Sequence, residues 1–299
     1  MNQLSALIKR NTKLFFKDKG AFFTALITPA ILLVLYATFL AKVYRDSFAS
    51  GMPQGMELEE TLLDGIVGGQ LVSSLLAVSC VTVAFCANML MVSDKVTGAR
   101  RDLAMTPVSG AAMAMGYSVA TFLVTLLIGL VAMAAGLCYI AFTGWYLSVW
   151  DVVCLLGAVV LLTLFGTLLS SVVNACLSSQ GQISAVGTIV SSGYGFLCGA
   201  YMPMSQFGEG LRRVLSFLPG THATVLFRHH AMRGAFEEME AQHIPTAVVD
   251  TLRDTVDANL YFFEERVPHG VMYAVLGGSI VILALVYIFI QARMLRKKA

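Results

Sequence analysis

Five long stretches of this 299-residue chain contain no Asp, Glu, Lys or Arg. They are 22, 29, 48, 57 and 26 residues long and cover, in chain order, residues 20–41, 65–93, 103–150, 152–208 and 267–292. Only 13% of the chain is charged, whereas about a quarter of the residues of a soluble domain are. A helix needs about 20 apolar residues to cross a bilayer. The sequence therefore predicts an all-α integral membrane protein rather than a soluble enzyme.

The lengths of these stretches predict six membrane-spanning helices. The 57-residue stretch has room for two spans, and each of the others is assigned one. The 48-residue stretch could hold two tightly joined spans, but Pro107, Gly110 and Gly144 mark its ends as turns. The expected spans lie near residues 21–41, 66–92, 112–142, 152–175, 182–203 and 268–290.

Lys and Arg residues near the span ends predict the orientation, because basic residues concentrate on the cytoplasmic side. With a cytoplasmic N-terminus, 12 basic residues and three acids lie inside, while eight basic residues and 15 acids lie outside. Both chain ends, which carry Lys9 and Lys13 at one end and Arg293 and Lys297 at the other, favour this arrangement. We expect a multi-pass protein of the bacterial cytoplasmic membrane with both termini inside.

Two other interpretations of the apolar segments are disfavoured. The first stretch is too long for the apolar region of a signal peptide, and no clear small-residue cleavage site follows it. All six cysteines lie within or at the edge of predicted spans, without metal or disulfide spacing. They are interpreted as small apolar packing residues.

The predicted spans contain no Asp, Glu, Lys or Arg, and this limits the energy source. Proton-coupled carriers use titrating groups inside the membrane, so proton coupling is disfavoured. Sodium held by backbone carbonyls remains open. Intramembrane hydrolysis lacks a base or carboxylate pair at membrane depth, and the chain has no G-x-x-x-x-G-K-[ST] phosphate loop. We therefore expect no catalytic residues in this chain.

Residues 2–18 have the pattern of a basic amphipathic helix lying in the headgroup plane. Leu4, Leu7 and Phe15 share one arc of a helical wheel, and Lys9 and Lys13 lie on the opposite arc. A generic anchor that only orients the protein would show the same pattern.

The inner loop at residues 93–111 combines a short charged helix with a turn. Arg100, Arg101 and Asp102 precede Thr106 and Pro107, which redirect the chain into the next span. A plain basic inner loop accounts for the arginines but not for this layout.

The outer segment at residues 204–266 contains an apolar run, 214–227, that is too short to cross a bilayer and is broken at Pro219 and Gly220. This predicts a re-entrant helical hairpin, with a surface loop as the alternative. Beyond it, apolar residues at spacing four predict one face of a soluble helix in a small lid: Val248, Leu252, Val256 and Leu260.

The histidines give no metal site. All five lie on the predicted outer side, and Glu240 with His243 is only half of a two-metal carboxylate pattern. A ligand set of plausible spacing is lacking, so no metal ion is expected.

The layout resembles the permease subunit of an ABC transporter of the ABC-2 exporter type. The most specific stretch is residues 98–117, GARRDLAMTPVSGAAMAMGY, which is similar to the coupling-helix run of that family with its T-P-V-S turn. Two departures are Gly110–Ala111, where relatives often carry a basic residue, and the long outer segment at 222–266.

The resemblance implies a pair of permease halves, identical or homologous, each resting on a separate ATPase subunit that binds ATP and Mg²⁺. It makes residues 96–105 the coupling helix and implies that spans two and five line a central cavity roofed by the hairpin. No cofactor and no nucleic acid would bind this chain, whose other partner is membrane lipid. The residues that the resemblance brings to the ATPase are Arg100, Arg101, Asp102, Lys9, Arg10 and Lys13.

The side chains of spans two and five indicate a class of cargo. Uncharged aromatic and thioether side chains on spans two and five suit an apolar or amphipathic molecule such as a drug, antibiotic, peptide or lipid; these are Phe85, Met89, Tyr194, Phe196, Tyr201 and Met202. Small residues on both spans, such as Gly68, Gly69 and the Gly195–Gly199 pair, suit a dimer seam, a cavity wall or packing within one subunit. A gradient-driven carrier or channel, and an accessory protein with a partner-binding outer segment, remain alternatives.

Overall fold

The computed structural model describes residues 3–51, 59–263 and 265–296, and almost all of them are helical. The helices are α1 (Gln3–Lys17), α2 (Lys19–Leu35), α3 (Ala41–Gly51), α4 (Glu60–Val96), α5 (Ala99–Ala104), α6 (Gly110–Thr143), α7 (Val149–Cys176), α8 (Gln180–Leu197), α9 (Glu209–Leu215), α10 (Pro219–Ala241), α11 (Thr246–Thr255) and α12 (His269–Arg296). A π-helical turn, Tyr36–Leu40, joins α2 to α3, and a short 3₁₀ turn covers Met204–Gln206. The protein is an all-α membrane protein.

Short polar side chains explain where several helices begin. Asp18 and Ser109 accept hydrogen bonds from the backbone N–H groups three residues on, at the starts of α2 and α6. Ser148 with Asp151 and Ser179 with Gln182 form reciprocal capping boxes at α7 and α8. These contacts satisfy backbone donors that the first helical turn leaves unpaired.

Five helices of the described chain are long and apolar enough to cross a membrane. They correspond to five of the six expected spans: Lys19–Asp46, Glu60–Val96, Gly110–Thr143, Val149–Cys176 and His269–Met294. The other expected span, 182–203, is the 18-residue helix α8. It begins with two glutamines and is rich in Ser and Gly, and it ends early because Gly199 takes a left-handed φ of 71° that turns the chain back.

Helix α4 lies at the centre of the bundle. It is 37 residues long, and nearly every side chain between Leu62 and Asp94 is buried. Its neighbours are α6, α7, α10, α2 and α8. The small residues of α4 therefore pack inside this subunit: a Cβ on Gly68 would lie 3.2 Å from Ile140, and one on Gly69 would lie 2.5 Å from Met232. Of the alternatives for these two glycines, packing within one subunit is the one observed.

The helical structure is interrupted between α9 and α10, where the sequence predicts the hairpin. Pro219 is the first residue of α10, a position at which the missing N–H of proline costs nothing. Near its other end, Gly234 packs against the backbone of Tyr146 in the loop between α6 and α7. Helix α10 packs along α4 and α7. Pro219 therefore lies about 20 Å from Gly234 along the bundle, on the side away from the loop between α6 and α7.

The outer segment ends in α11 and a small antiparallel hairpin. In this hairpin Tyr261 pairs with Arg266, and Phe262 pairs with Glu265. The predicted lid helix is shorter than expected, because it ends at Thr255 and Asp257 takes a φ of 50°. Val249 and Leu252 are its buried residues, while Val248, expected on the inner face, is only half-buried.

Candidate functional site

A cavity of about 900 Å³ opens between α2, α4 and α8. Ile27, Ile31 and Leu35 of α2 form one wall, and Ser184, Thr188 and other residues of α8 form the opposite wall. None of the described residues that line it is charged. The cavity therefore offers an apolar surface with scattered hydroxyl groups, which suits a largely uncharged ligand.

Four of the six predicted cavity residues line this space: Met89, Phe196, Tyr201 and Met202. The other two do not. Phe85 lies in the core of the bundle with 4% of its side chain exposed. The ring of Tyr194 turns towards α10, where its hydroxyl oxygen lies 2.5 Å from the position of a Cβ on Gly220.

The wall formed by α2 was not predicted. Its residues Ile27 and Ile31 are about half-exposed and look in sequence like any lipid-facing pair. One local feature marks this region, the π-helical turn Tyr36–Leu40 at the end of α2, both ends of which line the cavity. Such turns often occur at functional sites. The Tyr36 hydroxyl lies 3.3 Å from Ser74 Oγ of α4.

A smaller cavity of about 200 Å³ adjoins the first at the end nearer α1. The two share five lining residues: Thr24, Cys86, Met89, Gln180 and Ile183. The smaller cavity is bounded by Leu14 and Phe15 of the amphipathic helix, by Ser93 and by Asp18. The pair of cavities thus extends from the amphipathic helix α1 to the turn after α8.

The second candidate region is the short helix α5. It has no buried residue, and Arg101 and Asp102 are exposed while Arg100 is half-buried. In the described part of the chain none of these three side chains forms an ion pair. Gly98, with a φ of 86°, joins α5 to α4. The helix therefore presents its charges to the surroundings of the subunit.

The three basic residues of α1 that were predicted to contact the ATPase divide into two groups. Lys9 and Lys13 are exposed. Arg10 instead forms an ion pair with Asp94 near the end of α4, with Nη1 2.7 Å from Oδ2. The hydrogen bond to this carboxylate raises the pKa of Arg10. Arg10 therefore joins α1 to α4 within the subunit.

The last turns of α4 hold two further helices. The Tyr117 hydroxyl of α6 donates to Asp94 Oδ2 at 2.6 Å. The next residue, Lys95, donates from Nζ to the backbone oxygens of Asn174, Ala175 and Leu177, at 3.1, 2.8 and 3.0 Å. A cation suits this position, because the last carbonyls of a helix carry partial negative charge. The residues just before α5 thus bind α1, α6 and α7.

The predicted outer side holds a cluster of histidines. The rings of His229 and His269 stack with centroids 3.7 Å apart, and His230 Nε2 lies 2.9 Å from the Tyr273 hydroxyl. Burial lowers the pKa of His229 to about 3 and that of His230 to about 4. Within the described residues no three His, Cys, Asp or Glu side chains come together as metal ligands. The described cysteines are free thiols.

Comparison with known proteins identifies the family. The family model described as ABC-2 type transporter matches residues 2–231, which is most of the chain. A search of curated proteins finds no match. An ABC-2 membrane domain is the permease component of a transporter that works with an ABC ATPase. Since the match covers well over half of its length, the chain belongs to the ABC-2 type transporter family and is a permease component of an ABC transporter.

Proposed function

We propose that this chain exports an apolar or amphipathic molecule across the bacterial cytoplasmic membrane, powered by a separate ATPase that binds ATP and Mg²⁺. The observation that carries the proposal is the uncharged 900 Å³ cavity between α2, α4 and α8. A strongly anionic polymer would call for basic groups along its path, and the lining residues are instead hydroxyl, thioether and hydrocarbon groups.

The two adjoining cavities supply a path for the cargo. The smaller one begins beside Phe15 of the basic amphipathic helix, the part of the chain that suits the inner headgroup layer. The larger one ends at Tyr201 and Met202, next to the outer segment. An amphipathic cargo would enter near α1 and leave past the turn after α8.

A second permease half, identical or homologous, would complete the site. The apolar side chains of α2 and α8 that face away from the bundle are exposed in the single subunit, among them Phe23, Val34, Ile189 and Leu197. The cavity lies between these same two helices. A partner half packed there, with lipid around α12, would enclose the cargo.

The ATPase would bind the inner surface at α5, with Lys9 and Lys13 beside it. Exposed Arg101 and Asp102, with Arg100 behind them, offer charged groups to a soluble partner. Motion of α5 would reach the bundle through Asp94 and Lys95, which hold α1, α6 and α7.

The test is reconstitution of the purified chain with its ATPase in vesicles, followed by ATP-driven export of a fluorescent amphipathic probe. We expect the chain alone to hydrolyse no ATP. The double substitution Arg100→Glu and Arg101→Glu should abolish ATP-driven export, while Arg212→Glu, an exposed residue of the outer segment, should leave it unchanged.

Three results would contradict the proposal or a part of it. Transport by the chain without nucleotide would point to a gradient-driven carrier or channel. Full ATP-driven export by the Arg100→Glu, Arg101→Glu variant would place the ATPase contact elsewhere. A chain that neither transports nor stimulates an ATPase, but retains a partner through its outer segment, would be an accessory protein.

A further inference from the structure

Arg228 is the largest fully buried side chain of the described residues. It lies on α10, between the apolar Phe227 and Ala231, and 0% of its surface is exposed. Burying a guanidinium is costly unless it is paired and hydrogen-bonded. Its Nη1 donates to Oδ2 of Asp257 at 3.1 Å, and its Nη2 donates to the backbone oxygen of Gly199 at 2.6 Å.

Asp257 extends the same network to a second point of the chain. Its Oδ2 also accepts the backbone N–H of Met204 at 2.6 Å. Asp257 belongs to the turn that follows α11, where its φ of 50° departs from the usual range for a side-chain-bearing residue. The pair Arg228–Asp257 therefore contacts both ends of the segment 199–204.

Segment 199–204 borders the cavity just beyond the C-terminal end of α8. Its central residues Tyr201 and Met202 line the cavity, and the Tyr201 ring meets that of Phe196 edge-on with centroids 5.2 Å apart. Gly199 at one end and Met204 at the other are the two backbone positions that the ion pair holds. The contacts of the pair are thus placed where they fix the position of two cavity residues.

Stability alone gives a weak reason for such a pair. Replacing a buried ion pair by well-packed apolar residues is often neutral or stabilising, whereas removing one partner leaves an uncompensated charge. This buried pair joins residues 29 positions apart and also binds two backbone groups. Its contacts favour one arrangement of several segments over others. Here these segments are α10, the turn after α11 and the segment 199–204.

We propose that Arg228 and Asp257 are positioning residues that hold segment 199–204 across the outer end of the cavity, so that the outer segment around α11 determines whether the cavity opens outward. The inference rests on the proposed export function only for the role of the opening, which is to release cargo. The constraint on Tyr201 and Met202 follows from the contacts themselves.

The experiment measures access to the segment directly. Met202→Cys is introduced after the native cysteines are replaced, and the protein in vesicles reacts with a membrane-impermeant maleimide added from outside, without nucleotide. Arg228→Lys keeps the charge, but its single ammonium group does not reproduce the two-armed contact with Asp257 and Gly199. Asp257→Asn removes the charge and keeps a side-chain oxygen.

We expect the maleimide to label the Met202→Cys protein about tenfold faster in either variant, since the segment is then released more often. The matched control is Arg253→Gln, which removes the ion pairs with Glu240 and Asp250 in the same outer segment without touching residues 199–204. Its labelling rate should equal that of the parent. Gel filtration and thermal unfolding identify the variants that are folded. If Asp257→Asn does not fold, the milder substitution Arg228→Lys serves as the test.

Two outcomes overturn the inference: unchanged labelling in a folded Arg228→Lys or Asp257→Asn protein, or an equal increase in Arg253→Gln, which would indicate general loosening of the outer segment. Because labelling requires neither cargo nor ATPase, its result is separate from the fate of the export proposal. With export established, the same variants should also transport with an altered KM for the probe, which a loss of folded protein alone would not change.

Discussion

The guanidinium of Arg10 lies 2.7 Å from the carboxylate of Asp94, so the N-terminal amphipathic helix is joined to the C-terminal end of α4, the most buried of the candidate spans. The side chain of Asp94 is only 8% exposed and also accepts the Tyr117 hydroxyl at 2.6 Å. A helix that the sequence presents as a membrane-surface anchor is thereby attached to α4 and α6 at a point a few residues before α5.

Arg10→Gln should weaken both the fold and the coupling of ATP hydrolysis to transport. The variant leaves Asp94 with fewer donors, and hydrogen bonds to charged groups contribute about 1.5–3 kcal/mol each. We expect a lower midpoint of thermal unfolding in detergent, and less cargo exported per ATP hydrolysed in vesicles. Lys17→Gln removes an equal charge from an exposed position of the same helix, outside the proposed ATPase contact, and should change neither. Equal effects of the two variants would reduce the role of Arg10 to surface charge.

Lys95→Met should destabilise the inner end of α7. The substitution removes three donors from the carbonyls of Asn174, Ala175 and Leu177, and unpaired buried carbonyls cost about 1–3 kcal/mol each. Hydrogen exchange measured by mass spectrometry should show faster exchange in the last turns of α7. The control is Lys9→Met, at an exposed position of α1. If the hydrogen exchange of α7 is unchanged in Lys95→Met, water satisfies these carbonyls as well as the lysine does.

Gly195→Ala and Gly193→Ala test the outer end of the cavity with two substitutions on the same helix. A Cβ on Gly195 would lie 2.3 Å from the ring of Tyr201, whereas a Cβ on Gly193 meets no atom within 4 Å. Overpacking of this kind costs about 1–3 kcal/mol, while alanine in place of an unhindered helical glycine stabilises by up to about 1 kcal/mol.

Gly195→Ala should therefore unfold at lower temperature and export the probe with a changed KM, because the Tyr201 ring must move. Gly193→Ala should unfold at the same or a higher temperature with its KM unchanged. The decisive observation is which of the two variants unfolds at the lower temperature. If it is Gly193→Ala, the Tyr201 ring does not pack on Gly195 in the working protein.

The buried histidines predict loss of stability in mild acid. Burial lowers the pKa of His229 to about 3 and of His230 to about 4, from 6.5. Between these values and 6.5 the unfolded chain binds more protons than the folded one, so stability falls as pH falls. From pH 7 to pH 5 the loss should be about 1–2 kcal/mol for each histidine.

The measurement is the thermal unfolding midpoint in detergent at pH 7 and pH 5. In the double variant His229→Phe, His230→Gln the difference between the two midpoints should shrink, because phenylalanine keeps a ring against His269 and glutamine keeps a polar partner for the Tyr273 hydroxyl. An undiminished difference would assign the acid sensitivity to other groups, with the carboxylates of the described ion pairs as the first candidates.

Much of the helical framework could be predicted from the sequence. Uncharged runs of sufficient length located the spans to within a few residues, because a bilayer tolerates few charges. The 18-residue α8 is the exception. Its uncharged stretch continues beyond the helix, but the left-handed conformation of Gly199 ends the helix. Absence of charge therefore indicated membrane depth better than it indicated helix length.

The pairings that join distant segments could not be predicted. Arg228 reads locally as one more outer basic residue, and only the fold reveals that Asp257, 29 residues on, meets it away from water. The same holds for Arg10, which shares its helix face with exposed lysines but reaches a carboxylate 84 residues away. Nor does the sequence of α2 show that Ile27 and Ile31 face a cavity rather than lipid.

The enclosure of α4 has a mechanical consequence. This helix is 37 residues long, or about 55 Å from end to end, and close packing by its own chain leaves it little freedom to bend independently of its neighbours. A displacement imposed at Val96 is therefore carried through the bundle as a shift of α4 together with the helices it touches. The central helix can serve as a rigid rod that links the two ends of the bundle.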